Sequence, residues 1–517
     1  MPSPLSSVHH DGSPLYVSSL APALGDTLTL RLRTHRDQQP QTVVLRTVRD
    51  GEPQAVVAEA QAPVGVDVWW VATIVVRNIE THYRWLVVGG AHDFAWLTAG
   101  GLLDFDVPDA TDFVVTATEA PPEWSHEAVV YQVFPDRFAR SMADDDALAQ
   151  PPVGAELPEW AVPRAWTDTP EGRSPNTPRE YFGGDLDGVR QHLDHVSALG
   201  ASVLYMTPVF PAASTHRYDA SSFSSVDPLL GGDAALLALV EAAHAEGIRV
   251  IGDITLNHCG REHEWFIRAQ DPQASEREFF RFDPELRHGY ECWFNVPTLP
   301  KFDHTSSLLR DTLVTSDDAP VRTWLRGSSG LDGWRVDVAN MAGRMGSIDV
   351  THEFAKDVRA AMALERDDAL LVAEHGHDAS GDLLGDGWHG TMNYAGFTRQ
   401  VWCWLRSPDF HETFLGLPVE VPVVTGEQAV ASLRAFHARI PWRSLITSWN
   451  ILSSHDTARI RSVVGTHDRQ VAALALAVGL PGVPMVFAGD EIGATGLWGE
   501  KQLPFPPNNH ASLKRRF

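Results

Sequence analysis

A chain of 517 residues with 44% hydrophobic and 21% charged residues has material for more than one folded domain and does not read as disordered. Its formal net charge of −26 would be repelled by nucleic acid and by anionic membranes, so neither is an expected partner, and a neutral ligand suits it better. Cys259, Cys292 and Cys403 lack metal or disulfide spacing, MPSPLSSVHH lacks the basic and apolar parts of a secretory leader, and no apolar run is long enough to span a membrane; a reducing cytoplasm is the expected location.

Residues 1–120 read as short alternating strands broken by Gly, Pro and Asp: DTLTLRLRT, QTVVLRTVRD, VWWVATIVVR and THYRWLVVGG. No stretch of helical period interrupts them, which predicts an N-terminal antiparallel β-sandwich. EAPPEW, Glu119 to Trp124, reads as a stiff joint. Over residues 121–517 the pattern becomes strand then helix. The strand AVVYQVFP is followed by the helix DLDGVRQHLDHVSALG, stopped at Gly200. ASVLYMTPV, DAALLALVEAAHAEG and IRVIGDITLNH continue the alternation, and DGWRVDVA, ALLVAEH, GTMNYAGF, SWNILSSHD and VPMVFAGDEIG bring the strands to eight. Each is nearly continuous in apolar residues, as buried parallel strands are. Eight such units predict an α/β fold of (β/α)8 TIM-barrel type. Two stretches break the rhythm: a proline-rich loop from about Ser141 to Pro178, and an aromatic-rich excursion at about 260–304 after the third strand, which reads either as a cleft wall or as a small packed subdomain.

Polar residues gather where these strands end. DITLNH contributes Asp253, Asn257 and His258; the fourth strand contributes Arg335 and Asp337, the fifth Glu374 and His375, and the seventh His455 and Asp456. One buried ion pair says little about function, but several on the C-terminal rim of a barrel mark the place where such folds build active sites. Arg335 and Asp337 share a strand face, opposite Trp334 and Val336, because side chains alternate along a strand. Three carboxylates from three strands suit glycoside hydrolysis, in which one acid donates a proton and another carboxylate attacks the anomeric carbon. A retaining enzyme holds those two about 5–5.5 Å apart, close to the strand spacing of about 4.8 Å. Asp337, beside Arg335, is expected to have a lowered pKa and to be the nucleophile. Glu374, after Leu371-Val372-Ala373, sits in a more apolar run and is the expected general acid. The seventeen tryptophans would supply faces on which sugar rings stack.

DITLNH, GWRVDVAN, AEHGH and LSSHD, in this order, resemble the four signature regions of the α-amylase superfamily of glycoside hydrolases. The resemblance covers roughly residues 125 to 500 and implies Asp337 as nucleophile, Glu374 as acid/base and Asp456 as transition-state stabiliser. It implies a substrate-binding role for Arg335, His258 and His455, with Tyr218 of THRYD stacking on the reacting glucose; Asp253, Asn257 and His375 complete the expected binding set. VVYQVFPDRFARS, YFGGDLDGV, TLPKFD and SHDTAR look most like intracellular maltodextrin glucosidases, while DVAN leans toward cyclomaltodextrinases and neopullulanases, which also act on cyclic or α-1,6-branched dextrins. Lys301 of LPKFD resembles the lysine of that group, whereas Phe302-Asp303 departs from its usual leucine and asparagine.

The resemblance implies an α-glucan oligosaccharide substrate, no cofactor, and a first domain that binds dextrin or forms a homodimer. ARSMADDD lacks the asparagine- and glycine-bearing loop of calcium-binding relatives, so no essential metal is expected. In WGEKQLPFPPNNHASLKRRF, Pro507 stands where relatives have tryptophan, and the eighth helix and a C-terminal β-domain are expected to be missing. That end keeps a third expectation open, an inactive truncated homologue that still binds sugar.

Overall fold

Leu28, Leu30, Leu32 and Thr34 are buried along one face of a strand whose alternate residues are more exposed, and this period-two burial organises the first part of the chain. The computed structural model describes residues 7–38, 40–90, 93–141, 147–171, 176–415 and 418–497. Thr27–His35, Asp67–Val75 and Glu59–Ala60 form one antiparallel sheet. Glu52–Val57, Thr42–Arg49, Glu80–Gly90, Asp93–Thr98 and Gly101–Leu103 form another, with Phe113–Thr116 also paired to Glu80–Gly90. Tyr83, Trp85, Val43, Leu45 and Val87 of the second sheet meet the leucines of the first in one core. The four strands read from sequence are all present. The described residues of 7–121 group with 378–386 and 425–447 into one unit, and the two later segments lie within the stretch read from sequence as barrel.

The second unit takes the described residues of 122–377, 387–424 and 448–497. Its centre is a closed parallel barrel of eight strands, in chain order Val130–Val133, Val203–Met206, Arg249–Thr255, Gly333–Asp337, Leu370–His375, Gly390–Asn393, Trp449–Ile451 and Val483–Phe487. These are the eight strands expected, joined mainly by helices such as Gly232–Ala245, Thr351–Ala363 and His467–Gly479. Gly200 ends its segment at φ +75, a conformation open to glycine at no steric penalty. The helix before it is not continuous. It divides into Leu186–Arg190 and Leu193–Ala198, and His192 in the break bonds the Gly188 carbonyl oxygen at 2.8 Å.

In the excursion, Trp265 packs edge to face on Phe279 and Phe266 on Phe280, and Phe302 lies tilted against Phe280 and Trp265 in the same small core. The bridges His258↔Lys301 and Cys292↔Pro300 fold its return beside the end of the third strand. Trp293 lies outside that core and stacks on His258 at 5.6 Å. Residues 498–517, to which the missing helix and C-terminal β-domain were assigned, lie outside the described residues, as do residues 142–146 of ARSMADDD. Among the described residues no helix is long and apolar enough to cross a membrane.

Candidate active site

Strand register brings the charged residues together. Asp253 pairs with Arg335 and Thr255 with Asp337 across the third and fourth strands, and alternation turns all four side chains into the barrel. Trp334 points the other way and donates its indole N–H to the Val321 carbonyl at 3.0 Å. Gly252 leaves room for that indole, since a Cβ there would stand 2.6 Å from the Trp334 ring.

Arg335 is fully buried and is the hub. Its Nη1 donates to both carboxylate oxygens of Asp253 and to Asp337 Oδ1, each at 3.0 Å. Its Nη2 lies 2.9 Å from Glu374 Oε1, a contact too bent to form a full hydrogen bond. Glu374 is held instead by the Val338 backbone N–H, which donates to Oε2 at 2.8 Å. Val338 sits at φ +46, a left-handed conformation that a β-branched residue adopts only under constraint. The expected strand therefore stops at Asp337, where the chain turns to present this N–H.

A second network enters from the seventh strand. The Gln132 side-chain amide meets His455 Nδ1 at 2.8 Å, and His455 Nε2 meets Tyr218 Oη at 2.6 Å and Asp456 Oδ2 at 3.1 Å. The amide nitrogen can only donate, so Nδ1 accepts and the ring proton sits on Nε2. Tyr218 then donates to Asp253 Oδ2 at 2.9 Å, beside Tyr205, which donates to the same oxygen at 2.7 Å. The Tyr218 and His455 rings are stacked at 5.3 Å and 9°. On the other flank, the Asn257 amide donates to His258 Nδ1 at 3.0 Å, leaving Nε2 directed at Asp337 Oδ2, 4.0 Å away. Burial pulls the His258 pKa down to about 3, so the ring is neutral.

Electrostatics correct one expectation. Asp337 is not lowered by Arg335. Burial raises it well above the usual carboxylate range, the charge of Glu374 adds to this, and Arg335 offsets only part. Burial is the larger cause, and the one guanidinium that could offset it is shared among Asp253, Asp337 and Glu374. Asp253 is likewise raised by burial. Asp456 is pushed up to about 7 by burial of its carboxyl and then by Glu374, although 35% of its side chain is exposed. The apolar run before Glu374 does not surround its carboxyl, which reaches back to Arg335 and Val338.

The family model described as Alpha amylase, catalytic domain, matches residues 132–514. The chain belongs to the α-amylase family. Among relatives, the α-amylase-family chain is 31% identical over 403 residues to neopullulanase 2 of Thermoactinomyces vulgaris, covering 74% of this chain and 60% of that protein. It is 32% identical over 383 residues to a cyclomaltodextrinase of Geobacillus thermopakistaniensis, covering 72% and 57%. The chain thus spans about three-fifths of the length of these curated relatives. Among solved structures, the cyclic α-maltosyl-(1→6)-maltose hydrolase of Arthrobacter globiformis is 31% identical, with a TM-score of 0.60 over 76% of this chain and 79% of that one. A cyclomaltodextrinase structure is 26% identical, with a TM-score of 0.63 over 96% and 79%.

In this family member, nine of the ten residues singled out from sequence enter the two networks: Asp337, Glu374, Asp456, Tyr218, His258, Arg335, His455, Asp253 and Asn257. His375 alternates away from Glu374, and its ring lies 5.8 Å from that of His377. Sequence reasoning missed Gln132 and Tyr205, which face each other in register on the first two strands. Polar residues inside the apolar strands VVYQVFP and VLYMTP were the available signal. It also missed the Val338 backbone, which no side-chain pattern reveals. Among the described residues, no group of three or more His, Cys, Asp or Glu is arranged to hold a metal ion.

Proposed function

We propose that this chain is a retaining glycoside hydrolase that cleaves α-1,4-glucosidic bonds of maltodextrins through a covalent glycosyl-enzyme intermediate. The observation that carries the reading is the meeting of Asp337 and Glu374, from adjacent strands, on the two η nitrogens of Arg335. Their strands stand about 4.8 Å apart, the spacing that suits a nucleophile and an acid on the same bond. The carboxylates around Arg335 outnumber its single guanidinium. For reaction, a proton must sit on Glu374 and leave Asp337 bare, and the Arg335 hydrogen bond to Asp337 favours that arrangement.

Glu374 gives its proton to the glycosidic oxygen as that bond breaks, and Asp337 Oδ attacks the anomeric carbon. Water then displaces Asp337, Glu374 takes back a proton, and the sugar leaves as the α-anomer. Asp456 and His455 would hold hydroxyls of the reacting ring and oppose its developing positive charge. The names of the relatives favour a cyclomaltodextrinase or neopullulanase type of enzyme, acting also on cyclic or branched dextrins, over the maltodextrin glucosidase type. Work in the cytoplasm, in intracellular carbohydrate breakdown, and a homodimer through the first unit belong to the same reading; three buried free cysteines fit a reducing compartment.

Proton NMR of maltotriose, β-cyclodextrin and pullulan digests, beside an Asp337→Ala control, tests it. α-Anomeric product appearing first, and absent from the control, supports retention at Asp337. β-Anomeric product first, or no turnover by a folded chain, overturns it.

A further inference from the structure

Three hydrogen bonds in series connect the aromatic excursion to the proposed acid. Lys301 stands on the returning chain, bridged to His258. It is only 4% exposed, and among the described residues it makes no ion pair. Its ammonium donates to the Met341 carbonyl at 3.2 Å. The Met341 N–H in turn donates to the Val338 carbonyl at 2.9 Å. The Val338 N–H donates to Glu374 Oε2 at 2.8 Å.

Each end of this series is energetically unfavourable by itself. A buried ammonium with no carboxylate in direct contact, Glu291 acting on it only from a distance, loses much of its hydration, and lysines are rarely fully buried without a partner. A non-glycine residue in the left-handed region is strained and persists only where its surroundings over-determine it. Val338 is such a residue, and Val338-Ala339-Asn340 contains no glycine to favour the turn. The tether to Met341 supplies the missing restraint.

We propose that Lys301 is a positioning residue for the hydrolysis inferred above: by holding the Met341 carbonyl it fixes the turn whose Val338 N–H aims Glu374. This role rests on the reading of Glu374 as the acid. It acts through backbone alone, so it should affect the chemical step more than substrate binding.

The test uses Lys301→Met and Lys301→Arg in the full chain, with two independent measurements. Hydrogen exchange by mass spectrometry on the peptide covering residues 338–342 reads the tether without turnover. Steady-state kinetics on a linear maltodextrin reads its effect on Glu374. In Lys301→Met, exchange should quicken and kcat fall about tenfold to a hundredfold, as small misplacements of catalytic groups do, with KM within about twofold. Lys301→Arg, which keeps a charged donor, should restore both. If the methionine variant does not fold, Lys301→Gln should shift both readings in the same direction. Unchanged exchange with normal wild-type turnover overturns the tether alone. Faster exchange with unchanged kcat, or a loss confined to KM, overturns its coupling to Glu374. A wild-type chain inactive on every α-glucan overturns the hydrolase reading, and this role with it, whatever the exchange shows.

Discussion

Arg84 in the sandwich unit and Arg335 in the barrel are both buried arginines held by carboxylates, yet they sit in opposite electrostatic situations. Arg84 contacts Asp109 and lies 2.7 Å from Asp112, while Arg46 reaches the same two aspartates at 3.0 and 3.4 Å. Two guanidiniums therefore balance two carboxylates. Arg335 alone faces three, with Asp456 close enough for its charge to raise Asp337. Histidines repeat the contrast. His10 is buried with both nitrogens bonded, to the Arg31 carbonyl at 2.6 Å and Tyr83 Oη at 3.0 Å. His258 is as deeply buried, but its Nε2 points at a carboxylate 4.0 Å away. Burial of charge is common to both regions. An excess of negative charge around a single guanidinium separates the candidate active site from the scaffold.

The contrast can be broken most severely at Glu374. Glu374→Gln should lower kcat on maltodextrins about 10²–10⁴-fold, while an aryl maltoside with a good leaving group, which needs little protonation, should lose far less. Equal losses on both substrates would remove Glu374 as the acid.

Arg84→Met should do the reverse. It leaves Asp112, already pushed up to about 6 by burial, without its nearest cation. The loss should be about 3–5 kcal/mol of stability, read by urea melts, with kcat of the folded fraction unchanged. A kcat loss in that fraction would erase the distinction between the two arginines.

A smaller effect follows from His10, whose pKa falls from 6.5 to about 4 through burial. Its folded pKa lies below the unfolded value, so the stability it contributes is fully present above pH 6.5. That contribution declines as pH falls to about 4, by on the order of 3 kcal/mol. Urea midpoints across this window should flatten in His10→Gln, and an unchanged slope would discount the assignment.

Tyr218→Phe is the mildest change. It removes the hydroxyl shared by Asp253 and His455. A loss of about 1–1.5 kcal/mol, or roughly tenfold in kcat/KM, is expected. No change would mean that the neighbouring Tyr205 hydroxyl orients Asp253 by itself.

Much of this was legible in the order of residues. Alternating leucines at 28, 30 and 32 specify a strand with one buried face, and eight apolar segments separated by helical periods specify the barrel. The rim position of Asp337, Glu374 and Asp456 follows, because each ends or follows a strand. Local pattern also has limits. It read the helix before Gly200 as continuous, because periodicity takes no account of a histidine that bonds the carbonyl four residues back.

What the sequence by itself determined was which residues could reach one another: strand alternation and strand order follow from short-range sterics and hydrophobic period. Only the tertiary structure decided how their charges are shared. Pairwise reading gave Asp337 one arginine and a lowered pKa, whereas the closed barrel buries its carboxyl, sets Glu374 beside it and shares Arg335 among three carboxylates, so that its pKa is raised. The Val338 turn that holds Glu374, and the Lys301 bond behind it, are likewise contacts between segments far apart in the chain. No local propensity encodes them, because the strain at Val338 is balanced by partners that only the folded barrel brings within reach.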